Sequence, residues 1–188
     1  MSVSTQHINE EQAATAFSKQ SVIFDALYSG NTIIQYKRER VRANVMQYLS
    51  ANSTILELNS GTGEDAIWFA QQGHTVHATD ISVGMQEQLK QKVNALQLQK
   101  QISTELISYT KLEQLQGPKQ YDLIFSNFAG LNCTGQLDKV LHQFDALLKP
   151  GGMGIFQIPQ DLSRATTFSD DSIVDQKERA KIFGQYDH

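Results

Sequence analysis

The sequence predicts a three-layer α/β fold: a doubly wound, mostly parallel sheet with helices on both faces and a helical cap in front. From Thr54 onward, five short strand-like runs alternate with helix-like stretches, which favours parallel strands joined by right-handed crossovers. The first run, Ile55-Leu56-Glu57-Leu58, opens directly into the turn Asn59-Ser60-Gly61-Thr62-Gly63, and a helix starts at once. Composition agrees, since 188 residues with 40% hydrophobic and 19% charged side chains are ordinary material for one core. The expected organisation is one domain over 1–188, with a helical cap at 1–50, a cofactor-binding core at 51–160 and a short C-terminal segment at 161–188.

Taken in order, Ala13 to Leu27 and Thr32 to Leu49 carry apolar residues at helical spacing, separated by the turn Ser29-Gly30-Asn31. The first strand is Thr54 to Leu58. Its helix, Glu64 to Gln72, is closed by Gly73 in the position where a left-handed residue ends a helix. The second strand is Thr75 to Thr79. Ser82 is a fit N-cap for the next helix, whose Met85, Leu89, Val93 and Leu96 share a face. The third and fourth strands are Ile102 to Ile107 and Tyr121 to Ser126, with Gly117-Pro118 marking the loop between them. Thr134 caps a helix running from Leu137 to Leu148, Pro150-Gly151-Gly152 stops it, and Gly154 to Ile158 is the fifth strand. Residues 160–188 are polar and offer no strand pair, only a weak helical pattern over 172–183. Either the chain is a short variant of such a sheet, or it is a fragment, or a partner covers the fifth strand; an uncovered edge would invite association, which makes a homodimer through that edge one of the expectations.

The net charge of −4, without a basic stripe or tail, argues against a nucleic-acid partner. Lys37, Arg38, Arg40 and Arg42 form the one dense basic cluster, either a solvated helix face or a rim that attracts an anionic substrate. Cys133 is the sole cysteine, which gives an oxidising compartment no support. Met1 to Gln20 has neither the basic start nor the apolar run of a signal peptide, and no stretch approaches a membrane span. The expectation is a cytoplasmic protein with no membrane contact.

Three ligands compete for the glycine turn. A P-loop requires a lysine to neutralise phosphates, and none stands near Gly63. A dinucleotide site fits Gly61-Thr62-Gly63-Glu64-Asp65-Ala66 literally, with Asp80 placed for a ribose. It would, however, set a diphosphate on a helix start that carries Glu64 and Asp65, with Glu57 just upstream. S-adenosylmethionine has no phosphate and carries an ammonium and a sulfonium, so an acid-rich loop suits it better. The two acids could equally complement the helix dipole and point to solvent.

Four segments in order then resemble class I S-adenosylmethionine-dependent methyltransferases of the small-molecule branch. Ile55 to Asp65 is similar to the first motif. Thr79-Asp80-Ile81-Ser82-Val83-Gly84-Met85 is similar to the strand-2 acid and adenine-side segment. Tyr121 to Phe128 resembles strand 4, and Leu147 to Gly152 resembles the turn before strand 5. Ala16-Phe17 and Phe24-Asp25 are similar to that branch's capping helix. The resemblance implies a Rossmann-like sheet and methyl transfer from S-adenosylmethionine to a small-molecule acceptor. It implies that Glu57 and the loop Asn59, Ser60, Gly61, Thr62 and Gly63 serve the methionine part, and that Asp80 holds the ribose hydroxyls. Ile81 and Met85 would pack on adenine, while Asn127 and Phe128 would line the transfer site.

Three departures stand out. Asn59 replaces the usual glycine; asparagine tolerates positive φ, but its side chain would crowd the ligand. Phe24 stands where the cap usually has tyrosine. Tyr109-Thr110 follow the third strand, where an acid is often found. No residue reads as a persuasive general base, so the catalytic residue is unassigned. His74 and His77 read as surface or structural rather than metal ligands, and no metal is expected. Two other readings stay open: a non-catalytic methyltransferase-like module, and an NAD(P)-dependent oxidoreductase.

Overall fold

The computed structural model describes residues 4–128, 130–157 and 180–183. Two helices lead, α1 (Ser4–Tyr28) and α2 (Thr32–Val45). Asn31 caps α2 by accepting from the Ile33 and Ile34 amides at 3.0 and 3.1 Å. Then follow β1 (Thr54–Glu57), α3 (Glu64–Gln71), β2 (Thr75–Asp80), α4 (Val83–Ala95) and β3 (Ile102–Leu106). A 3-10 segment, Tyr109–Gln114, leads to β4 (Tyr121–Ser126), and a second, Gly130–Cys133, leads to α5 (Leu137–His142), α6 (Phe144–Leu147), β5 (Leu148–Gln157) and β6 (Ala180–Phe183).

The six strands lie in the order β3-β2-β1-β4-β5-β6, each neighbouring pair parallel. Alternation along β1 explains the three layers. Ile55 points into a cluster with Phe69, Val76, Leu89, Leu123 and Phe125, beneath α3 and α4. Leu56, one residue on, points into the opposite cluster with Leu112, Tyr121, Ile124, Phe144 and Phe156. Both leucines of β1 and its exit, Leu56 and Leu58, are fully buried, as is usual for a central parallel strand. Strand order reverses between β1 and β4, so the crevice lies beyond their carboxyl ends.

Local signals mostly held. Gly73 takes φ +91 after α3, and Ser82 accepts from the Met85 amide at 3.3 Å as the cap of α4. Four expectations are corrected. The helix predicted over 137–148 breaks at Gln143 into α5 and α6. Thr134 does not cap it: its hydroxyl accepts from the Gln136 amide at 3.0 Å in a local turn, and Gln136 is the N-cap. Strand β5 begins at Leu148, running through Pro150-Gly151-Gly152 with a register shift opposite β4. Finally, residues 180–183 of the predicted weak helix form β6, which pairs along β5 and covers the edge expected to be open. The rest of that helical pattern lies outside the described residues.

Candidate functional site

Three left-handed residues alternate through the loop after β1: Asn59 at φ +46, Gly61 at φ +55 and Gly63 at φ +85. The curl is fixed from β2, since the Ser60 amide donates to the Thr79 carbonyl at 2.9 Å. The Gly61 amide donates to Asp80 Oδ2 at 2.8 Å. Asp80 Oδ1 accepts from the Ser82 amide at 2.8 Å, so one carboxylate organises both strand exits. A Cβ on Gly63 would stand 2.1 Å from Leu89 Cδ1, so this glycine serves helix packing as well as the turn. At Gly61 a Cβ would meet nothing within 4 Å, and the backbone there faces open space.

Asn59 behaves differently from the glycine it replaces. Its Oδ1 accepts from the Ser126 hydroxyl at 2.9 Å, across the β1–β4 crevice. Its Nδ2 would lie 1.7 Å from a Cβ built on Gly130, so the amide packs directly on that glycine, where no side chain would fit. Crowding of the ligand was expected at this residue; its amide is turned onto Ser126 and Gly130 and does not line the cavity between cap and loop.

Of the two acids at the helix start, Glu64 remains partly exposed, while Asp65 does not point to solvent as a simple dipole argument would have it. Asp65 is buried, with Oδ2 accepting from Arg38 Nη1 at 2.5 Å and Oδ1 from Arg42 Nε at 2.7 Å. Asn127 Nδ2 donates to the same Oδ2 at 3.0 Å. Half of the basic cluster therefore faces inward. Glu64 pairs with Lys92 at 3.2 Å, and Lys92 also pairs with Asp25. With cations on Asp65 and Glu64, the helix start is less repulsive to a diphosphate than the sequence alone implied. Glu57 is buried with Oε2 unpartnered. Burial above all, then the Asp65 charge, pushes its carboxyl well up, against the opposing pull of Arg38 and Arg42. Burial also raises Asp80, offset in part by its backbone donors.

The cap closes on this loop. Thr62 Oγ1 donates to Asp25 Oδ1 of α1 at 2.5 Å. Ser18 and Ser82 hydroxyls lie 2.8 Å apart, and a Cβ on Gly84 would meet the Ser18 carbonyl at 2.6 Å. Between cap and loop lies a cavity of about 210 Å³, lined by Phe24, Tyr28, Ile34 and Phe128 on one side, and by Arg38, Asp65, Asn127 and the loop on the other. Phe128 takes φ +52, a strained backbone for a bulky side chain, with the Arg38 guanidinium 4.5 Å above its ring. A second cavity, about 400 Å³, runs along Ala14, Thr15, Ser18, Lys19, Ile81 and Val83.

The structure thus brings together Glu57, Asn59 to Gly63, Asp80, Asn127 and Phe128 at one sheet edge, with Ile81 on the neighbouring cavity. Of these, Ser60, Gly61, Thr62, Asn127 and Phe128 line the first cavity and Ile81 the second; Glu57, Asn59, Gly63 and Asp80 lie beside them and line neither, and Met85, 2% exposed, lies in the interior. His74 and His77 are buried rather than on the surface, bonded to the Ser53 amide and to Ser103 and Glu105. Sequence reasoning read Arg38 and Arg42 only as a solvated face or a rim, quoted Asp25 and Asp65 only within motifs, and placed none of the four among the cofactor-binding residues. The four-residue spacing of Arg38 and Arg42 was the available signal, because it puts both on one helix face.

A family described as methyltransferase domain matches residues 55–152. The hybrid PKS-NRPS synthetase poxE of Penicillium oxalicum is 27% identical over 165 residues, covering 80% of this chain and 4% of that protein. YqeM of Bacillus subtilis, classed as a methyltransferase, is 28% identical over 133 residues, 69% of this chain and 52% of that protein. The chain therefore spans about half or less of the length of these relatives. A crystal structure from Galdieria sulphuraria, solved as a sarcosine dimethylglycine methyltransferase, superposes with a TM-score of 0.62 at 18% identity. The superposition covers 72% of this chain and 58% of that one, and at such identity the likeness is one of fold.

Proposed function

The chain belongs to the methyltransferase-domain family, and from that membership we propose that it binds S-adenosylmethionine and transfers its methyl group to a small-molecule acceptor. The observation that carries the reading is the loop 59–63, curled by three left-handed residues and anchored on Asp80 beside the sheet's reversal point. The residues fit the cofactor. Gly61 faces open space, so the backbone can be approached closely. The unpartnered Glu57 Oε2 suits an ammonium. Asp80 has lone pairs beyond its two amide donors, enough for ribose hydroxyls. Ser60, Thr62 and Gly63 complete the methionine side; Ile81 and Met85 would serve the adenine side, Met85 from behind the pocket wall.

When bound, the cofactor supplies an electrophilic methyl on a sulfonium. The protein's part is alignment, because an in-line displacement depends on holding the acceptor opposite the leaving sulfur. The aromatic wall of Phe24, Tyr28 and Phe128 would hold an apolar acceptor body, with Asn127 and Arg38 available to its polar end. A base is needed only for an acceptor that must lose a proton. The inward turn of Arg38 and Arg42 leaves little basic surface for nucleic acid, in keeping with a small acceptor. One cysteine favours the cytoplasm as the compartment. With β5 covered, a homodimer built on a sheet edge would use β3 or β6.

Calorimetric titration with S-adenosylmethionine, its demethylated product S-adenosylhomocysteine, and NAD tests the reading. Micromolar binding of the first two with none of NAD is expected. Binding of NAD alone overturns it. The Asn59 amide in the crevice favours a second reading, a module that binds the cofactor too weakly for turnover. Absence of all binding would select that reading.

A further inference from the structure

Arg38 and Arg42 share a face of α2 and meet the same acid, yet they are not equally occupied. Arg42 donates from Nε to Asp65 Oδ1 and from Nη2 to the Glu64 carbonyl at 2.6 Å, and its guanidinium stands 5.0 Å from the Trp68 ring. Arg38 donates once, from Nη1 to Asp65 Oδ2, and no other hydrogen bond or ion pair among the described residues includes it. Its Nε is buried without an acceptor. A guanidinium is a rigid fork of five N–H donors, so most of this one is unmatched. Arg38 lines the cavity between cap and loop, with the Phe128 ring beneath its guanidinium, whereas Arg42 does not line it.

The charges around this cavity balance in number but not in place. Arg38 and Arg42 share Asp65, while Asp25 and Glu64 share Lys92. The Arg38 end thus carries a positive charge in excess, and the Glu64 end a negative one. Glu57 lies within the field of both arginines, but burial holds it toward its protonated form, so it offsets little of the excess. Arg38 and Glu64 both line the cavity, so a bound molecule meets a basic end and an acidic end. The sulfonium and ammonium of the cofactor suit the acidic end and add positive charge to the site. A neutral or cationic acceptor at the other end would leave that charge uncompensated; a carboxylate would pair with it, since its two oxygens match the planar fork. The walls are the apolar Phe24, Tyr28, Ile34 and Phe128, and the volume of about 210 Å³ is on the scale of a single ring, because an apolar cavity of about 150 Å³ takes up benzene. We propose that the acceptor is an organic acid, a small apolar body whose carboxylate pairs with the Arg38 guanidinium. The proposal rests on the cofactor reading above and assigns its acceptor a charge.

The test uses three ring probes: 4-fluorobenzoate, its neutral isostere 4-fluorobenzamide and the cationic 4-fluorobenzylamine. Each is titrated by fluorine NMR into the chain saturated with S-adenosylhomocysteine. The benzoate is expected to bind in the millimolar range and roughly tenfold tighter than the amide, the value of a hydrogen bond to a charged group, with the amine weakest. In Arg38→Met, which keeps a stem against Phe128 but no charge, the preference for benzoate over benzamide falls to within about twofold. Arg38→Lys, which keeps the charge without the fork, lies between. Each comparison is a ratio within one variant, so general loosening of α2 cancels. The rival for Arg38 is the cofactor's own carboxylate, so S-adenosylhomocysteine is also compared calorimetrically with 5′-methylthioadenosine, which lacks the amino-acid end. A preference between these two that collapses in Arg38→Met assigns the guanidinium to the cofactor and overturns the proposal. So does a benzoate preference that survives intact in Arg38→Met. Should that variant fail to fold, the parent still decides: equal binding of benzoate and benzamide, or tightest binding of the amine, sinks the proposal while S-adenosylhomocysteine binding upholds the cofactor reading. If the parent does not bind S-adenosylhomocysteine, the cofactor reading fails and the proposal falls with it.

Discussion

Asn59, Glu57 and Asp65 show three ways in which one residue sets the chemistry of this crevice. Asn59 supplies the left-handed turn but places an amide where a glycine would leave room. Asn59→Gly should therefore tighten S-adenosylhomocysteine binding several-fold, read by calorimetry; weaker binding would mean that the amide itself contacts the ligand. Glu57 is held above its unfolded value of 4.5, so the native state binds the extra proton. The stability this provides is full below that value and is lost as pH rises through the folded one. Glu57→Gln removes the loss, and its melting temperature at neutral pH should rise by a few degrees, about 1 kcal/mol. The same substitution should weaken binding of the cationic cofactor. Asp65 is the counter-case, a buried acid made tolerable by two arginines and an asparagine. Asp65→Asn leaves both guanidiniums short of a partner and should cost about 3 kcal/mol in denaturant unfolding. Of these residues, Glu57 and Asn59 were legible because motif position identified them. Asp65 was not, because its cations lie more than twenty residues away in sequence and meet it only through the docking of α2.

At the level of elements, the joints matter more than the interiors. Gly63 joins β1 to α3 and lets α3 approach Leu89 of α4. Gly63→Ala combines a disfavoured φ with a clash and should destabilise by on the order of 2–3 kcal/mol, measured by chemical denaturation. The strands and helices around that joint followed from local rules: apolar runs made β1 and β4, Ser82 started α4 and Gly73 ended α3. Local rules failed at the other end of the chain. The apolar period continues from Leu137 to Leu148, but Leu148 is drawn into β5 beside Tyr121, and Pro150 and Gly151 sit within an irregular strand. Pairing with β4 overrode periodicity there.

For the whole molecule, burial creates opposing responses to pH. His74 and His77 are lowered from 6.5 mainly by burial, so the unfolded chain binds their protons first as pH falls. Stability from the neutral histidines is full above that value and is lost below it. Glu57 and Asp80 act in the other direction, adding stability as pH falls through their raised folded values. Thermal melts between pH 7.5 and 5.5 should therefore show a fall on acidification that is steeper in Glu57→Gln than in the parent. At this scale too lies the cap: α1 touches the loop through Asp25, α4 through Ser18 and the end of β3 through Glu10.

The sequence by itself determined the alternating architecture, the glycine turn and the acid at the end of β2, because each depends on residues close together in the chain. Only the tertiary structure decided which acids are neutralised, where the Asn59 amide lies, and that the last strand completes the sheet beside β5. Charge pairing, amide packing and strand pairing are all contacts between distant segments, whose energies appear only once the layers have closed on one another.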